Sequence, residues 1–169
     1  AMKVGTDGVL LGAWCSLESL PKTILDIGTG TGIISLMLAQ RSSAITIDGL
    51  EVDPSAYMQT VDNFENSDWS DRLYCYNTSF QKFVDDTNKE TYDLIVSNPP
   101  FYKEDYITSN ISRNQARFTQ FLTFKELIQG VSQILSKSGF FSTIIPFKEE
   151  STFVSLAQQN SLFLNRICR

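Results

Sequence analysis

The chain has 169 residues, 42% hydrophobic and 20% charged, with 14 basic and 19 acidic side chains for a formal charge of −5, and no histidine. That length and balance suit one domain with a buried core, and no apolar run reaches the roughly 18 residues that a membrane span needs. The missing histidine excludes Ser-His-Asp triads, Cys-His pairs and most zinc or haem sites, and the three scattered cysteines, Cys15, Cys75 and Cys168, form neither a disulfide framework nor a zinc pattern.

No signal peptide is visible in the opening AMKVGTDGVLLGAW, which has one lysine and is broken by Asp7 and glycines. The expectation is a cytoplasmic protein with reduced thiols, no metal and no membrane contact. Strands are predicted over Thr23–Gly28, Ile45–Val52, Leu73–Asn77, Tyr92–Ser97, Phe140–Pro146 and Leu162–Cys168. Helices are predicted over Ile33–Gln40, Pro54–Asn66, Phe80–Asp85, Thr123–Ser136 and Lys148–Gln158. Asp53 before Pro54 reads as an N-cap followed by proline at the first helical position. Thr123 to Glu126 fits a capping box, and Ser138-Gly139 reads as that helix's end. Strands alternating with helices predict an α/β fold, a mostly parallel twisted sheet with helices on both faces.

Ile24-Leu-Asp-Ile-Gly28-Thr-Gly30-Thr-Gly32 is a buried strand that runs into a glycine turn and then a helix. Glycines permit a tight turn and close approach of a ligand to the backbone, and the helix start adds free N–H groups. In an α/β sheet that position takes a nucleotide-like ligand. The spacing is GxGxG, not the GxGxxG favoured for dinucleotides, so a methionine-type ligand fits better than a pyrophosphate. Glu51, about 20 residues on at the end of the second strand, would accept hydrogen bonds from a ribose diol. Asp53 is explained by helix capping alone.

Tyr92-Asp-Leu-Ile-Val-Ser-Asn98-Pro-Pro-Phe101 ends a buried strand in an amide, two rigid prolines and an aromatic ring. Asn98 offers an acceptor oxygen, the Pro99 carbonyl offers a second, and Phe101 offers a flat face for stacking. Two acceptors on the hydrogens of a conjugated amine would favour a pyramidal nitrogen and aim its lone pair at an electrophilic methyl. Such catalysis is positioning and preorganised dipoles, and no strong base is required. The bland alternative is a rigid turn after a strand.

Asp26-Ile-Gly-Thr-Gly-Thr-Gly32, the acidic end of the second strand and Asn98-Pro-Pro-Phe101 resemble the class I, Rossmann-like methyltransferases that act on amines or amides. The opening Met2-Lys-Val-Gly-Thr-Asp-Gly-Val-Leu-Leu-Gly-Ala-Trp14, with Arg113-Asn-Gln-Ala-Arg117, closely resembles the bacterial tRNA(Val) adenine-N6 methyltransferase family, whose target is the adenine 3′ of the anticodon, position 37. The resemblance covers nearly the whole chain. It implies S-adenosylmethionine as cofactor, tRNA as partner and a monomer. It also implies that Gly28, Gly30 and Gly32 line the methionine moiety, with Asp26 supporting the turn and the amino group. Glu51 would take the ribose, and Lys3, Thr6, Asp7 and Gly8 would close over the cofactor. Val52, Ser79 and Phe80 would lie by its adenine, beside Asn98. Asn98, Pro99, Pro100 and Phe101 would carry the chemistry, with Phe101, Arg113 and Arg117 binding substrate.

Three departures qualify the likeness. Ser79 stands where many relatives have an adenine-contacting aspartate, and Arg117-Phe118 replaces a frequent Arg-His. Relatives are also longer at both ends, so residues 1–169 read as a single methyltransferase domain truncated at both ends. A charge of −5 is awkward for RNA binding, and Lys103, Arg113, Arg117, Lys125 and Lys148 are the cations that could form a basic face. Guanine-N2 rRNA methylation, glutamine-amide methylation, a nicotinamide-dependent oxidoreductase and a non-catalytic nucleotide-binding module remain as alternatives.

Overall fold

The structure, a computed structural model, describes residues 5–86, 91–99 and 122–169. Helix α1 (Thr6–Trp14) leads into strand β1 (Thr23–Ile27), followed by α2 (Ile33–Arg41), β2 (Thr46–Leu50), α3 (Pro54–Glu65), β3 (Leu73–Tyr76), α4 (Phe80–Asp86) and β4 (Tyr92–Ser97). Then come α5 (Phe124–Ile134), β5 (Leu135–Thr143), a 3₁₀ turn (Phe147–Glu149) and α6 (Glu150–Gln159).

The five strands are all parallel, in the order β3-β2-β1-β4-β5. The chain builds outward from β1 to β3, then returns to start β4 on the other side of β1. The order therefore reverses between β1 and β4, and a crevice opens beyond their carboxyl ends. Alternating side chains serve two cores. Ile24, Ile47, Leu94 and Val96 pack with Leu11, Ile34, Leu38 and Phe64, while Leu25, Ile27, Leu50 and Ile95 pack with Phe80, Leu127, Ile128, Val131 and Phe153. The expected sheet covered on both faces is observed.

Both predicted caps are present. The Asp53 carboxylate accepts from Ala56 N–H, and Thr123 and Glu126 form a reciprocal capping box. Two expectations are corrected. Residues Leu162–Cys168 form no strand; Leu162 N–H closes a turn onto Ala157, and the Arg166 guanidinium reaches the Trp14 carbonyl, so no ladder partner is engaged. The helix begun at Phe124 stops at Ile134 and not at Ser138-Gly139, because Leu135 already pairs with Tyr92. The register then slips, and Phe140 pairs with Leu94, so residues 136–139 bulge opposite Asp93, where Ser136 Oγ donates to Asp93 Oδ1 at 3.1 Å. Thr6–Trp14 is a further helix that periodicity did not reveal; Val9 and Leu10 face outward at 39% and 54% exposure. Close packing sustains it: a Cβ on Gly12 would lie 2.7 Å from Met37 Sδ.

β1 and β4 are tied at their ends by Ser97, 1% exposed, whose hydroxyl donates to the Ile27 carbonyl at 2.9 Å. Replacing it with alanine removes a buried hydrogen bond at the crevice. Ser97→Ala is expected to lower unfolding free energy by about 1–2 kcal/mol in urea titration, and an unchanged midpoint would show that this bond does not hold the two strands.

Candidate active site

The turn after β1 is left-handed at alternate residues, with φ of +74°, +64° and +80° at Gly28, Gly30 and Gly32. L side chains rarely adopt these values, which explains the GxGxG spacing. A Cβ on Gly28 would meet nothing within 4 Å, so the turn leaves open space there, at the carboxyl end of β1.

Beneath the turn, Asp26 is fully buried. Its Oδ2 accepts from Thr29 Oγ1 and Ser35 Oγ, each at 2.7 Å, while Oδ1 has no partner among the described residues. Burial raises its pKa to about 6 against the opposing pull of those two hydroxyls, and the charge of Glu51 adds to the rise. The carboxylate thus supports the turn, as expected; with no exposed surface it offers a ligand no direct contact. Glu51, 8% exposed, accepts from Gly30 N–H through Oε2 and from Asp53 N–H through Oε1, both at 2.9 Å. The expected ribose acceptor is therefore also a brace between the turn and the start of α3, and any diol would share its remaining lone pairs.

Register places Ile27 opposite Ser97, so the residues that follow them, Gly28 and Asn98, leave adjacent strands at the crevice. Helix α1 brings Gly8 to the same place, where a Cβ would lie 3.9 Å from Asn98 Nδ2. Thr6 and Asp7 precede it in the exposed first turn. The structure therefore gathers Gly8, the glycine turn, Glu51 and Asn98-Pro99 at one end of the sheet. Val52 is 46% exposed beside Glu51, and Asn77 Nδ2 donates to the Glu51 carbonyl at 2.8 Å.

Ser79 and Phe80, expected beside the cofactor's adenine, are engaged within the protein. Ser79 Oγ accepts from Lys82 N–H at 3.2 Å and its carbonyl from Phe83 N–H, so this residue caps α4. Phe80 is 4% exposed and packs against α5, so its ring belongs to the core and faces no ligand. Lys3, Pro100, Phe101, Arg113 and Arg117 lie outside the described residues, as does Lys103. Sequence reading missed Thr60 and Asn63 on α3, which bond the turn's carbonyls: Thr60 Oγ1 donates to Gly30 O at 2.6 Å, and Asn63 Nδ2 to Thr31 O at 2.8 Å. The available signal was a threonine inside the buried stripe Ala56, Thr60, Phe64.

The pKa of Cys75 is pushed up to about 12, by desolvation first and then by the charges of Glu51 and Asp26.

A parallel sheet reversing at β1, with a glycine turn and an Asn-Pro end at the reversal, defines the architecture of a Rossmann-like methyltransferase. The T. Thermophilus 16S rRNA N2 methyltransferase RsmC, solved with AdoMet and guanosine, shares it at TM-score 0.65 and 20% identity over 95% of this chain and 39% of that one. The methyltransferase small domain family matches residues 9–145. Over 170 residues the chain is 58% identical to the tRNA1(Val) (adenine(37)-N6)-methyltransferase of Christiangramia forsetii, covering all of this chain and 71% of that protein. It is 56% identical to the same enzyme of Flavobacterium psychrophilum, covering 72% of it. The chain belongs to the tRNA1(Val) (adenine(37)-N6)-methyltransferase family.

The raised pKa of Asp26 gives a stability test. With the folded value near 6 and the ordinary value at 3.8, the native state binds more protons than the unfolded chain between those pH values. Stability should therefore rise as pH falls from about 6 towards about 4, and this gain should vanish in Asp26→Asn. Parallel urea titrations of both proteins from pH 7 to pH 4 test it; a difference that does not change with pH would place the titration elsewhere.

Proposed function

We propose that this chain transfers the methyl group of S-adenosylmethionine to the exocyclic N6 of adenine 37 in tRNA1(Val), as a cytoplasmic monomer. The observation that carries the reading is the pairing of β1 with β4, which sets the glycine turn and Asn98-Pro99 side by side at the sheet's reversal. The relatives named above support the choice of RNA and atom.

The residues present fit the cofactor. The open space at Gly28 leaves room for its methionine end, Glu51 offers lone pairs for the ribose, and Val52 offers an exposed apolar face for the adenine. Thr6, Asp7 and Gly8 at the start of α1 would border the methionine end from the other side. When bound, the cofactor supplies an electrophilic methyl on a positively charged sulfur.

The chain's own residues supply placement. The Asn98 side-chain oxygen and the Pro99 carbonyl accept the two N6 hydrogens of adenine, which turns the nitrogen lone pair out of conjugation and towards the methyl. Phe101 would stack on the base, with Pro100 stiffening the loop. The proton left on nitrogen after transfer passes to water. A direct in-line displacement without a covalent enzyme intermediate follows.

Charge supports a role for Arg113 and Arg117 on the RNA backbone. Arg41 and Arg72 are bonded to buried carbonyls, Arg166 to the Trp14 carbonyl, and Arg169 to Glu150. Lys148 is paired with Glu149 at 3.4 Å. The chain's remaining arginines are those two, on the segment that follows Asn-Pro-Pro-Phe.

Calorimetric titration with S-adenosylhomocysteine, with NAD and ATP as controls, tests the cofactor; binding of NAD or ATP alone would overturn it. Mass spectrometry of nucleosides from unmodified tRNA1(Val), incubated with protein and cofactor, tests the target, with N6-methyladenine at position 37 as the expected product. Asn98→Ala should lower kcat by about 10²-fold or more, the size seen when one oxyanion-hole donor is lost, with S-adenosylhomocysteine binding retained. Near-normal turnover in that variant would remove Asn98 from the mechanism.

A further inference from the structure

We propose that Thr60 and Asn63 on α3 are positioning residues for the cofactor, acting through the two peptide units at the centre of the glycine turn. The two side chains share one helix face at the i, i+3 spacing. Thr60 Oγ1, fully buried, donates to the Gly30 carbonyl at 2.6 Å, and Asn63 Nδ2 donates to the Thr31 carbonyl at 2.8 Å. Because a peptide unit is planar and trans, drawing the Gly30 carbonyl towards α3 turns the Thr31 N–H away from it. The same holds for the Thr31 carbonyl and the Gly32 N–H, which closes back on the Thr29 carbonyl at 2.9 Å. Each unit has a glycine on one side, Gly30 or Gly32, and Thr31 on the other, so side-chain sterics restrain a flip from one side only. A flip would present a carbonyl oxygen in place of an N–H.

These bonds are not required by the helix that provides them. Thr60 Oγ1 has an alternative acceptor in its own helix, Ala56 O at 3.0 Å, and its single hydrogen lies with the shorter contact to the turn. Asn63 is half-buried and could be solvated instead. Nor can α3 drift away from the turn. A Cβ on Gly32 would lie 2.5 Å from Phe64 Cε1, and Glu51 joins Gly30 N–H to Asp53 N–H at the start of the same helix. Helix α3 therefore holds the turn from below at Gly30, Thr31 and Gly32, and its two polar side chains set peptide direction where packing cannot.

The inference rests on the reading that the turn holds S-adenosylmethionine. It is tested on Thr60→Val, Asn63→Leu, the double variant and the conservative Thr60→Ser, with S-adenosylhomocysteine affinity by calorimetry, KM for cofactor and for tRNA, and thermal midpoint. Arg72→Leu serves as a stability control, because the Arg72 guanidinium bonds the carbonyls of Ala39, Ser42 and Ala44 at the amino end of the sheet. The double variant should weaken S-adenosylhomocysteine about tenfold or more and raise the cofactor KM alike, with the tRNA KM within about twofold. Thr60→Ser should retain affinity, and Arg72→Leu should keep it despite a comparable loss of thermal midpoint. An affinity of the double variant within about twofold of wild type, or an equal loss in Arg72→Leu, would reduce both residues to ordinary structural support. Should Thr60→Val not fold, Asn63→Leu alone decides the matter. Failure of the wild-type protein to bind S-adenosylhomocysteine would instead overturn the reading of the turn.

Discussion

A backbone that turns through positive φ at Gly28, Gly30 and Gly32 sends its N–H and C=O groups in alternating directions, and each one facing the protein must be answered. Hydrophobic packing cannot do this, because the turn has almost no apolar side chains. Hydrogen bonds do. Leu50 O receives Gly28 N–H and Thr29 N–H, Glu51 receives Gly30 N–H, and Thr60 and Asn63 satisfy the carbonyls of Gly30 and Thr31. All four of those residues lie on β2 or just beyond it through α3, so the strand–helix unit that follows the turn in sequence is also its scaffold.

The same constraint sets the electrostatics. Two carboxylates, Asp26 and Glu51, are drawn close to the turn because hydroxyl and N–H donors converge there. Their proximity and burial raise the pKa of Asp26 and keep the Cys75 thiol protonated. A centre so arranged has no histidine and, with Cys75 held protonated, no thiolate among the described residues. It suits a reaction whose electrophile is imported already activated and whose protein contribution is geometry. Asn98 fits that account, since it leaves β4 beside the turn and carries acceptors without a charge.

Much of this was legible in the sequence because it depends on local chemistry. The glycine spacing, the Asp53-Pro54 cap and the Thr123–Glu126 capping box are each decided within a few residues, and each is found as read. What was not legible depends on partners distant in the chain. Helix α1 lacks an apolar stripe and contains glycines, and its fit against α2, with Leu11 in the core and Gly8 and Gly12 close to Ile33, Ile34 and Met37, sustains it. Leu162–Cys168 has a strand-like composition but pairs with no strand among the described residues. The α5–β5 boundary moved because Tyr92, more than 40 residues earlier, takes Leu135 into the sheet. Phe80 looked like a cofactor neighbour from its position after β3, but a strand end exposes one face of the chain to the crevice and the other to the core.

The two sides of the crevice are held by different physics. The turn is fixed by buried, short hydrogen bonds to one scaffold. Helix α1 is fixed at its far end, where the last carbonyls of any helix lack intrahelical partners. Arg41 donates to the carbonyls of Gly12 and Cys15, while Arg166 donates to the carbonyl of Trp14 and stacks 4.1 Å above its ring. Two cations at a helix C-terminus also oppose its negative dipole end. The first turn, with Thr6 and Asp7, has no side-chain cap and is exposed. One wall of the site is thus clamped along its whole length, and the other is anchored at its base with its tip next to Asn98. The turn keeps its shape through bonds internal to the protein, while the first turn of α1 has no side-chain cap to fix it.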